Sequence, residues 1–267
     1  MFLKNYFLKE KIKQNAYFIW NSQKKNIQTI KQFKPLDLKL IIGVENQKEI
    51  LLKNTMNFAE GNFTNNALLW GARGNGKSSL IKSVFNKILT SYKNLKLIQL
   101  NKNDIFDIEY IYSVLGKYNH FRFIIFIDDL SFEKIDSDYK IIKSTLDGSI
   151  QNQPTNILLY VSSNRRHLMP RDMIDNERSS AIHTDESVEE KISLSDRFGL
   201  WIGFHKLSQI DYLKIIETYC LHYNINYDEE ISKKAIQWSL QRGNRTGRTA
   251  WQFILNTASD QNLKIKI

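Results

Sequence analysis

Residues 67–78 read Ala-Leu-Leu-Trp-Gly-Ala-Arg-Gly-Asn-Gly-Lys-Ser, an apolar run that leads directly into a glycine-rich turn. The second half follows the pattern Gly71-x-x-x-x-Gly76-Lys77-Ser78, and a helical pattern begins at Lys77. Glycines at these positions let backbone N–H groups turn inward around an anion, and the amino end of the helix adds positive potential. A strand, this loop and a helix in that order are typical of a phosphate-binding P-loop.

The loop predicts a site for ATP with Mg²⁺. We expect Lys77 to reach the β- and γ-phosphates and the Ser78 hydroxyl to bind the magnesium ion. The alternative, a chance glycine turn, is disfavoured by the strand and the helix that flank the loop. The residues of the loop expected to contact ATP are Gly71, Ala72, Arg73, Gly74, Asn75, Gly76, Lys77, Ser78 and Ser79.

A second apolar run ends in two carboxylates. Residues 123–129 read Phe-Ile-Ile-Phe-Ile-Asp-Asp, which is typical of a strand buried on both faces and followed by an acidic turn. We expect Asp128 to hold Mg²⁺ opposite Ser78, and Asp129 to polarise the water that attacks the γ-phosphate. Asn164 follows the next predicted strand, where its side chain could orient the same water. An ordinary polar turn is the alternative there.

Strand and helix patterns alternate between residues 41 and 205, which predicts a mostly parallel sheet covered by helices on both sides. Only helical patterns follow in residues 206–267, which predicts a small all-α lid domain. Residues 1–40 look helical and irregular. The fold class is therefore α/β, a P-loop NTPase core with a C-terminal helical lid. Five strands are expected, near residues 67–70, 95–100, 121–127, 156–162 and 200–204.

The charge of the chain is distributed unevenly. The formal net charge is +10, and residues 1–40 contain nine lysines against two acidic residues, Glu10 and Asp37. A basic segment of this kind can attract nucleic acid, anionic lipid or an acidic protein. The alternative is that these lysines form the solvated face of a docked helix. The apolar residues of the segment slightly favour this alternative, because they need to be covered. Nucleic acid bound through residues 1–40 is thus one candidate partner.

The composition also excludes several classes of protein. No apolar run reaches the roughly 20 residues of a membrane-spanning helix, which predicts a soluble chain without a membrane span. The amino terminus lacks the continuous apolar region of a secretory signal. Cys220 is the only cysteine, so an intrachain disulfide is impossible and a cysteine-based zinc site is absent. These features predict a protein of the reducing cytoplasm.

The P-loop, the acidic strand end, the polar strand end and the helical C-terminal region together resemble the AAA+ ATPases from Ile41 onward. Several longer strings are similar to a widespread bacterial AAA+ family of unknown function. They are Leu69-Trp-Gly-Ala-Arg-Gly74, Asp128-Asp-Leu-Ser-Phe132, Ser163-Asn-Arg-Arg-His-Leu168 and residues 190–201. The resemblance implies that the segment Ile42-Gly-Val44 lines the adenine pocket, with Val44 as its contact to ATP, and that Asn164 occupies the sensor 1 position.

The same resemblance implies roles for two arginines. Arg197, within Ser195-Asp-Arg-Phe-Gly199, matches an arginine finger offered to the ATP of a neighbouring subunit. Arg248 is similar to the sensor 2 arginine, and Arg245 is the second candidate for that position. The plain alternatives are an ion pair for Arg197 and a lid-surface position for Arg248. A finger acting on a neighbour implies a homo-oligomer, for which a hexamer is one candidate.

Three functions remain open at this point. The first is an oligomeric ATPase that remodels an unknown protein or nucleic-acid client. The second is a DNA-binding loader or initiator that uses the basic segment. The third is an ATP-responsive scaffold with little hydrolysis. AAA+ proteins commonly have glutamate where this chain has Asp129, and the shorter side chain implies slower hydrolysis.

Overall fold

The computed structural model describes residues 2–133, 137–147, 153–168 and 194–265, with side chains from residue 6 onward. Seven strands in the described chain form one sheet, in the order β2-β1-β4-β5-β6-β3-β7. Neighbouring strands run parallel, except that β1 and β2 form an antiparallel hairpin. The strands are β1 (Tyr17–Asn21), β2 (Asn26–Thr29), β3 (Ala67–Gly71), β4 (Leu95–Leu100), β5 (Arg122–Ile127), β6 (Ile157–Ser163) and β7 (Leu200–Phe204).

The helices begin and end at residues whose chemistry favours those ends. Gly61 terminates the second helix with φ 102°, a left-handed conformation that glycine adopts without strain. Ser208 and Thr246 cap two C-terminal helices by accepting hydrogen bonds from backbone N–H groups. The α-helices are α1 (Phe2–Gln14), α2 (Glu45–Glu60), α3 (Lys77–Leu89), α4 (Ile108–Leu115), α5 (Ser137–Asp147), α6 (Gln209–His222), α7 (Glu229–Gln241) and α8 (Gly247–Asp260). Short 3₁₀ helices lie at Leu38–Leu40 and Lys102–Asp107.

The sheet is buried on both faces, which explains the continuous apolar sequence of β5. Alternate residues of β5 enter different hydrophobic clusters, with Phe123 and Ile125 on one face and Ile124 and Phe126 on the other. Helices α6, α7 and α8 enclose a third cluster around Tyr212. Among the residues described, no helix is both long and apolar enough to cross a lipid bilayer.

The prediction of five strands is wrong, because the hairpin of β1 and β2 extends the sheet beyond β4. Phe18 and Trp20 alternate into the core with 1% and 3% exposure, and β1 pairs with β4 in parallel. The prediction of a helical segment through residue 40 is correspondingly wrong after Gln14. The hairpin turn lacks the usual glycine signal, since Lys25 itself adopts φ 45°. The predicted boundaries at residues 41 and 206 stay predictions.

A buried carboxylate attaches this hairpin to the rest of the sheet. Asp107 is 3% exposed and accepts a hydrogen bond of 2.8 Å from the Trp20 indole N–H. The Lys25 ammonium forms an ion pair with the other oxygen of Asp107. The hairpin of the basic N-terminal segment is therefore integrated with the core, because Phe18 and Trp20 are buried there and Lys25 is held by a distant carboxylate.

Replacing Trp20 with alanine is expected to lower the free energy of unfolding by about 3–5 kcal/mol. The substitution removes a buried indole and leaves Asp107 without one of its donors. Denaturant unfolding measures the change, and Lys24→Ala in the exposed turn is the matched control, with an expected effect below about 0.5 kcal/mol. An unchanged stability of the Trp20→Ala variant would mean that this segment is a detachable arm.

Candidate nucleotide-binding site

The carboxyl ends of three adjacent parallel strands, β5, β6 and β3, meet at one edge of the sheet. This order brings together Asp128 after β5, Asn164 after β6 and the glycine loop after β3. In parallel α/β sheets this edge is the usual place for a ligand. The three segments contribute to the wall of a cleft of about 920 Å³ that the C-terminal helices also line.

Two glycines of the loop stand where a side chain would not fit. Gly71 has φ 130°, and a Cβ atom there would lie 2.0 Å from the carbonyl oxygen of Phe204. Gly74 has φ 79°, and its Cβ would lie 2.9 Å from the Thr246 hydroxyl. The first glycine lets the loop pass close to β7, and the second lets it approach the start of α8.

The Lys77 ammonium lies inside the loop and is surrounded by oxygen atoms. It donates hydrogen bonds to the carbonyl oxygens of Gly71 at 2.8 Å and Ala72 at 2.9 Å, and to Asn164 Oδ1 at 3.0 Å. Burial lowers the pKa of Lys77 to about 8, although the carboxylates of Asp129 and Asp128 act in the opposite direction. A cation in this position is available to an incoming phosphate group.

Oxygen atoms suited to a magnesium ion lie next to this lysine. The hydroxyls of Ser78 and Ser162 each donate a hydrogen bond of 2.5 Å to the same oxygen of Asp128. Carboxylate, hydroxyl and water oxygens are the ligands that Mg²⁺ prefers. The donor set therefore fits Mg²⁺ held by Ser78 and Asp128. Within the described residues, no group of three or more His, Cys, Asp or Glu forms another metal cluster.

Asp129 is held in an uncommon backbone conformation beside Asn164. Its φ is 53°, which a non-glycine residue adopts rarely and which is found more often at functional sites. Its backbone N–H donates to the Ser162 hydroxyl at 3.0 Å, and its carboxylate accepts a hydrogen bond from the Asn164 side chain. Asn164 thus contacts both Asp129 and Lys77, at the junction of the three loops.

The other end of the cleft is apolar and aromatic. Tyr219 lies on α6 and Tyr223 directly follows this helix, and the Trp251 ring centroid lies 5.8 Å and 5.5 Å from their ring centroids. Such a lining suits a planar heterocyclic base. The residues that line this end include Leu40, Ile41, Ile42, Leu207, Ile215, Tyr219, Tyr223 and Trp251.

One predicted contact of this end is not observed. Val44 is 5% exposed and belongs to the hydrophobic cluster beneath α2, so it does not line the cleft. The backbone reverses at Gly43, with φ 80°, and this turn leaves Ile41 and Ile42 facing the cleft instead.

The helical region touches the glycine loop through the first turn of α8. The backbone N–H of Arg248 donates to the Gly74 carbonyl oxygen at 3.0 Å, and Arg248 lines the cleft. Arg245 does not line this cleft, and its guanidinium donates to Gln209 at 3.3 Å. Of the two arginines considered for sensor 2, only Arg248 therefore faces the candidate ATP site.

Arg197 lies outside the cleft of its own chain. It belongs to a short helical turn at residues 194–197, before β7, and its guanidinium forms an ion pair with Asp147 at the end of α5. The chain alone therefore brings Asp128, Asp129, Asn164 and Arg248 to the loop, and leaves Arg197 elsewhere.

A family model described as "Protein of unknown function (DUF815)" matches residues 13–261. The chain belongs to the DUF815 family. A search of curated protein sequences gives no match. The DUF815 match includes the glycine loop, both acidic residues after β5, and α6 to α8, so the whole cleft lies inside the family region.

Solved structures show which fold this DUF815 chain has. A single-residue variant of RuvB from Thermotoga maritima is 17% identical with a TM-score of 0.55, and the match covers 87% of this chain and 74% of that chain. ORC1 from Aeropyrum pernix, solved in complex with DNA, is 15% identical with a TM-score of 0.56, covering 84% and 62%. Domain III of the replication initiation protein DnaA from T. maritima is 13% identical with a TM-score of 0.55, covering 87% and 94%. The fold is that of the AAA+ P-loop ATPases.

Some residues of the DUF815 cleft were not predicted from the sequence. Ser162 bonds to both acidic residues, yet a serine at a strand end is too common to stand out. Tyr219 and Tyr223 repeat at helical spacing at the end of α6 and just after it, a pattern that also fits ordinary core packing. A search for aromatic residues at this spacing in the region after the last strand could have identified the base-binding end.

Proposed function

We propose that this DUF815 protein binds ATP with Mg²⁺ in the cleft and hydrolyses ATP at interfaces between copies of the chain. The energy would serve to remodel a protein or nucleic-acid client in the cytoplasm. One observation carries the proposal. A single cleft of about 920 Å³ joins an aromatic end to an end that contains Lys77, the Ser78–Asp128 pair and the Asp129–Asn164 pair.

Each residue has a role that follows from its chemistry. Lys77 exchanges its carbonyl partners for phosphate oxygens, and the N–H groups of the loop surround the same oxygens. Ser78 and Asp128 hold Mg²⁺, which when bound neutralises charge on the β- and γ-phosphates. Asp129 accepts a proton from the attacking water, and Asn164 orients that water.

Two arginines complete the site. Arg248 contacts the phosphates from the helical region, and its proximity to Gly74 supports that role. Arg197 stabilises the charge of the transition state in the cleft of a neighbouring copy. Arg197 lies outside its own cleft and its side chain is 24% exposed, which supports this assignment because a finger that acts on a neighbour must be accessible to that neighbour. The functional form is then a homo-oligomer.

A titration with Mg²⁺-ATP at several pH values tests the binding site. Lys77 in the ligand-free chain loses its proton above about pH 8, whereas the bound phosphates keep it charged. Binding then requires proton uptake, so the ATP affinity is expected to be level up to about pH 8 and to fall by up to tenfold per pH unit above it.

Lys77→Arg is the matched control for this titration, because arginine keeps its charge over the whole range. Its affinity for ATP is expected to show no fall between about pH 8 and 9.5. A level profile for the wild-type chain, or the same fall in both proteins, would contradict a phosphate contact by Lys77. Absence of ATP binding at neutral pH would contradict the proposed function itself.

A further inference from the structure

The segment of five residues that directly follows β6, Asn164 to Leu168, extends from the candidate phosphate site toward the turn that carries Arg197. At the first of them, Asn164 bonds to Lys77 and Asp129. Arg165 instead contacts the loop after β5, where its guanidinium donates to the Phe132 carbonyl oxygen at 3.0 Å and to Glu133 at 2.9 Å. The segment is therefore fixed at its start by groups that belong to the cleft and to the loop after β5.

The next residue, Arg166, lies between two tryptophans. Its guanidinium carbon is 5.2 Å from the ring centroid of Trp70 and 5.6 Å from that of Trp201. Trp70 is the penultimate residue of β3, and Trp201 lies on the paired strand β7. Gly203 makes room for this arrangement, because a Cβ there would lie 2.9 Å from the Trp70 ring. Cations are attracted to the faces of tryptophan rings at these distances.

His167 and Trp201 both contact Ser195, which is fully buried. The Nδ1 atom of His167 lies 3.3 Å from the Ser195 hydroxyl, and the Trp201 indole N–H donates to the Ser195 carbonyl oxygen at 2.5 Å. Ser195 is 0% exposed and lies two residues before Arg197 in the same short turn. The turn that carries Arg197 is thus held by the segment that begins at Asn164 and by the tryptophan that contacts Arg166.

We propose that Arg166 and His167 are positioning residues that connect Asn164 to the turn carrying Arg197. Lys77 and Asp129 hold Asn164 in the absence of ATP. With ATP in the cleft, the phosphates compete for Lys77 and the attacking water competes for Asp129. A change at Asn164 then reaches Arg197 through the contacts of Arg166 with the tryptophans and of His167 with Ser195. The site of one copy thereby controls the arginine offered to the next copy. The inference rests on the proposed function, because it requires Arg197 to act on a neighbour.

The first test compares Arg166→Gln with Arg165→Gln, which removes the same charge from the adjacent residue. Arg166→Gln is expected to bind ATP within about twofold of wild type and to lose about tenfold to a hundredfold in kcat, with KM unchanged, because a displaced catalytic group costs that much. Arg166→Lys, which keeps a cation between the tryptophans, is expected to regain most of the rate. Equal losses in Arg166→Gln and Arg165→Gln, or no loss in either, would overturn the inference.

Mixed oligomers show in which copy Arg166 acts. Asp129→Asn chains still bind ATP, keep Arg166 and Arg197 and hydrolyse slowly, so mixing them with Arg166→Gln chains is expected to restore turnover at the Arg166→Gln sites. Mixing Arg166→Gln with Arg197→Ala chains is expected to restore none. The reverse pattern would overturn the inference, because it would mean that Arg166 serves only its own ATP site.

A control mixture separates this inference from the proposed function. Asp129→Asn and Arg197→Ala chains each bind ATP but hydrolyse slowly alone, yet together they form sites in which an intact arginine meets ATP beside an intact Asp129. Turnover in this mixture supports hydrolysis at interfaces, whatever Arg166 does. Its absence would contradict the interface role of Arg197, and the positioning role of Arg166 and His167 with it.

Discussion

Replacing Lys77 with alanine is expected to weaken ATP binding by about tenfold to a hundredfold and to abolish turnover. A hydrogen bond to a charged group contributes about 1.5–3 kcal/mol, and Lys77 is the cation enclosed by the glycine loop. The neighbouring carboxylates of Asp128 and Asp129 would also repel the phosphates more strongly once this cation is lost. Calorimetric titration with Mg²⁺-ATP measures the change.

Lys87→Ala is the matched control for that experiment. Lys87 is exposed in the last turn of the same helix, α3, so the substitution removes the same charge away from the cleft. We expect its ATP affinity and its folding stability to equal those of the wild-type chain. Equal affinities for all three proteins would mean that the glycine loop does not bind the phosphates.

Replacing Arg197 with alanine is expected to slow hydrolysis by about three to five powers of ten while ATP still binds. The guanidinium forms an ion pair with Asp147 in its own chain, and the Arg197 and Asp147 side chains are 24% and 42% exposed. Loss of this partly exposed pair is expected to cost about 1 kcal/mol, so the folded state should persist. Phosphate release under saturating ATP measures the rate.

Lys140→Ala, which removes an exposed cation from α5, controls for a general loss of charge near Asp147. Its rate is expected to match wild type. A wild-type rate for Arg197→Ala would support the plain alternative, in which this arginine is only the ion-pair partner of Asp147. The hydrolysis rates expected for the two alternatives differ by orders of magnitude, so a single time course of phosphate release distinguishes them.

The sequence predicted which residues meet at this edge of the sheet because they follow apolar strands directly. Carboxyl ends of parallel strands meet at one edge, so Asp128, Asn164 and the loop at Lys77 had to lie close together once the strands were located. Their mutual hydrogen bonds agree with that expectation. The AAA+ fold also followed from the order of these motifs and is shown by the solved structures.

The parts that were missed depend on contacts between residues far apart in the chain. The hairpin of β1 and β2 has a lysine in its left-handed turn position and becomes stable through Asp107, which the local sequence does not indicate. Of the predicted segment Ile42-Gly-Val44, Ile42 lines the cleft while Val44 lies in the core, because the backbone turns at Gly43. The enclosure of Arg166 by Trp70 and Trp201 requires the pairing of β3 with β7. Hydrophobic periodicity indicates which residues are buried, but it does not indicate which residues they pack against.

The most direct test of hydrolysis in this cleft is the rate of phosphate release per chain, measured for wild type and Asp129→Asn over a range of protein concentrations. We expect the wild-type rate per chain to rise with concentration, as sites form between copies. Asp129→Asn should bind ATP but release phosphate about a hundredfold to ten-thousandfold more slowly, because it lacks the base. A wild-type rate no faster than that of Asp129→Asn at every concentration would contradict the account and identify a scaffold that binds ATP without hydrolysing it.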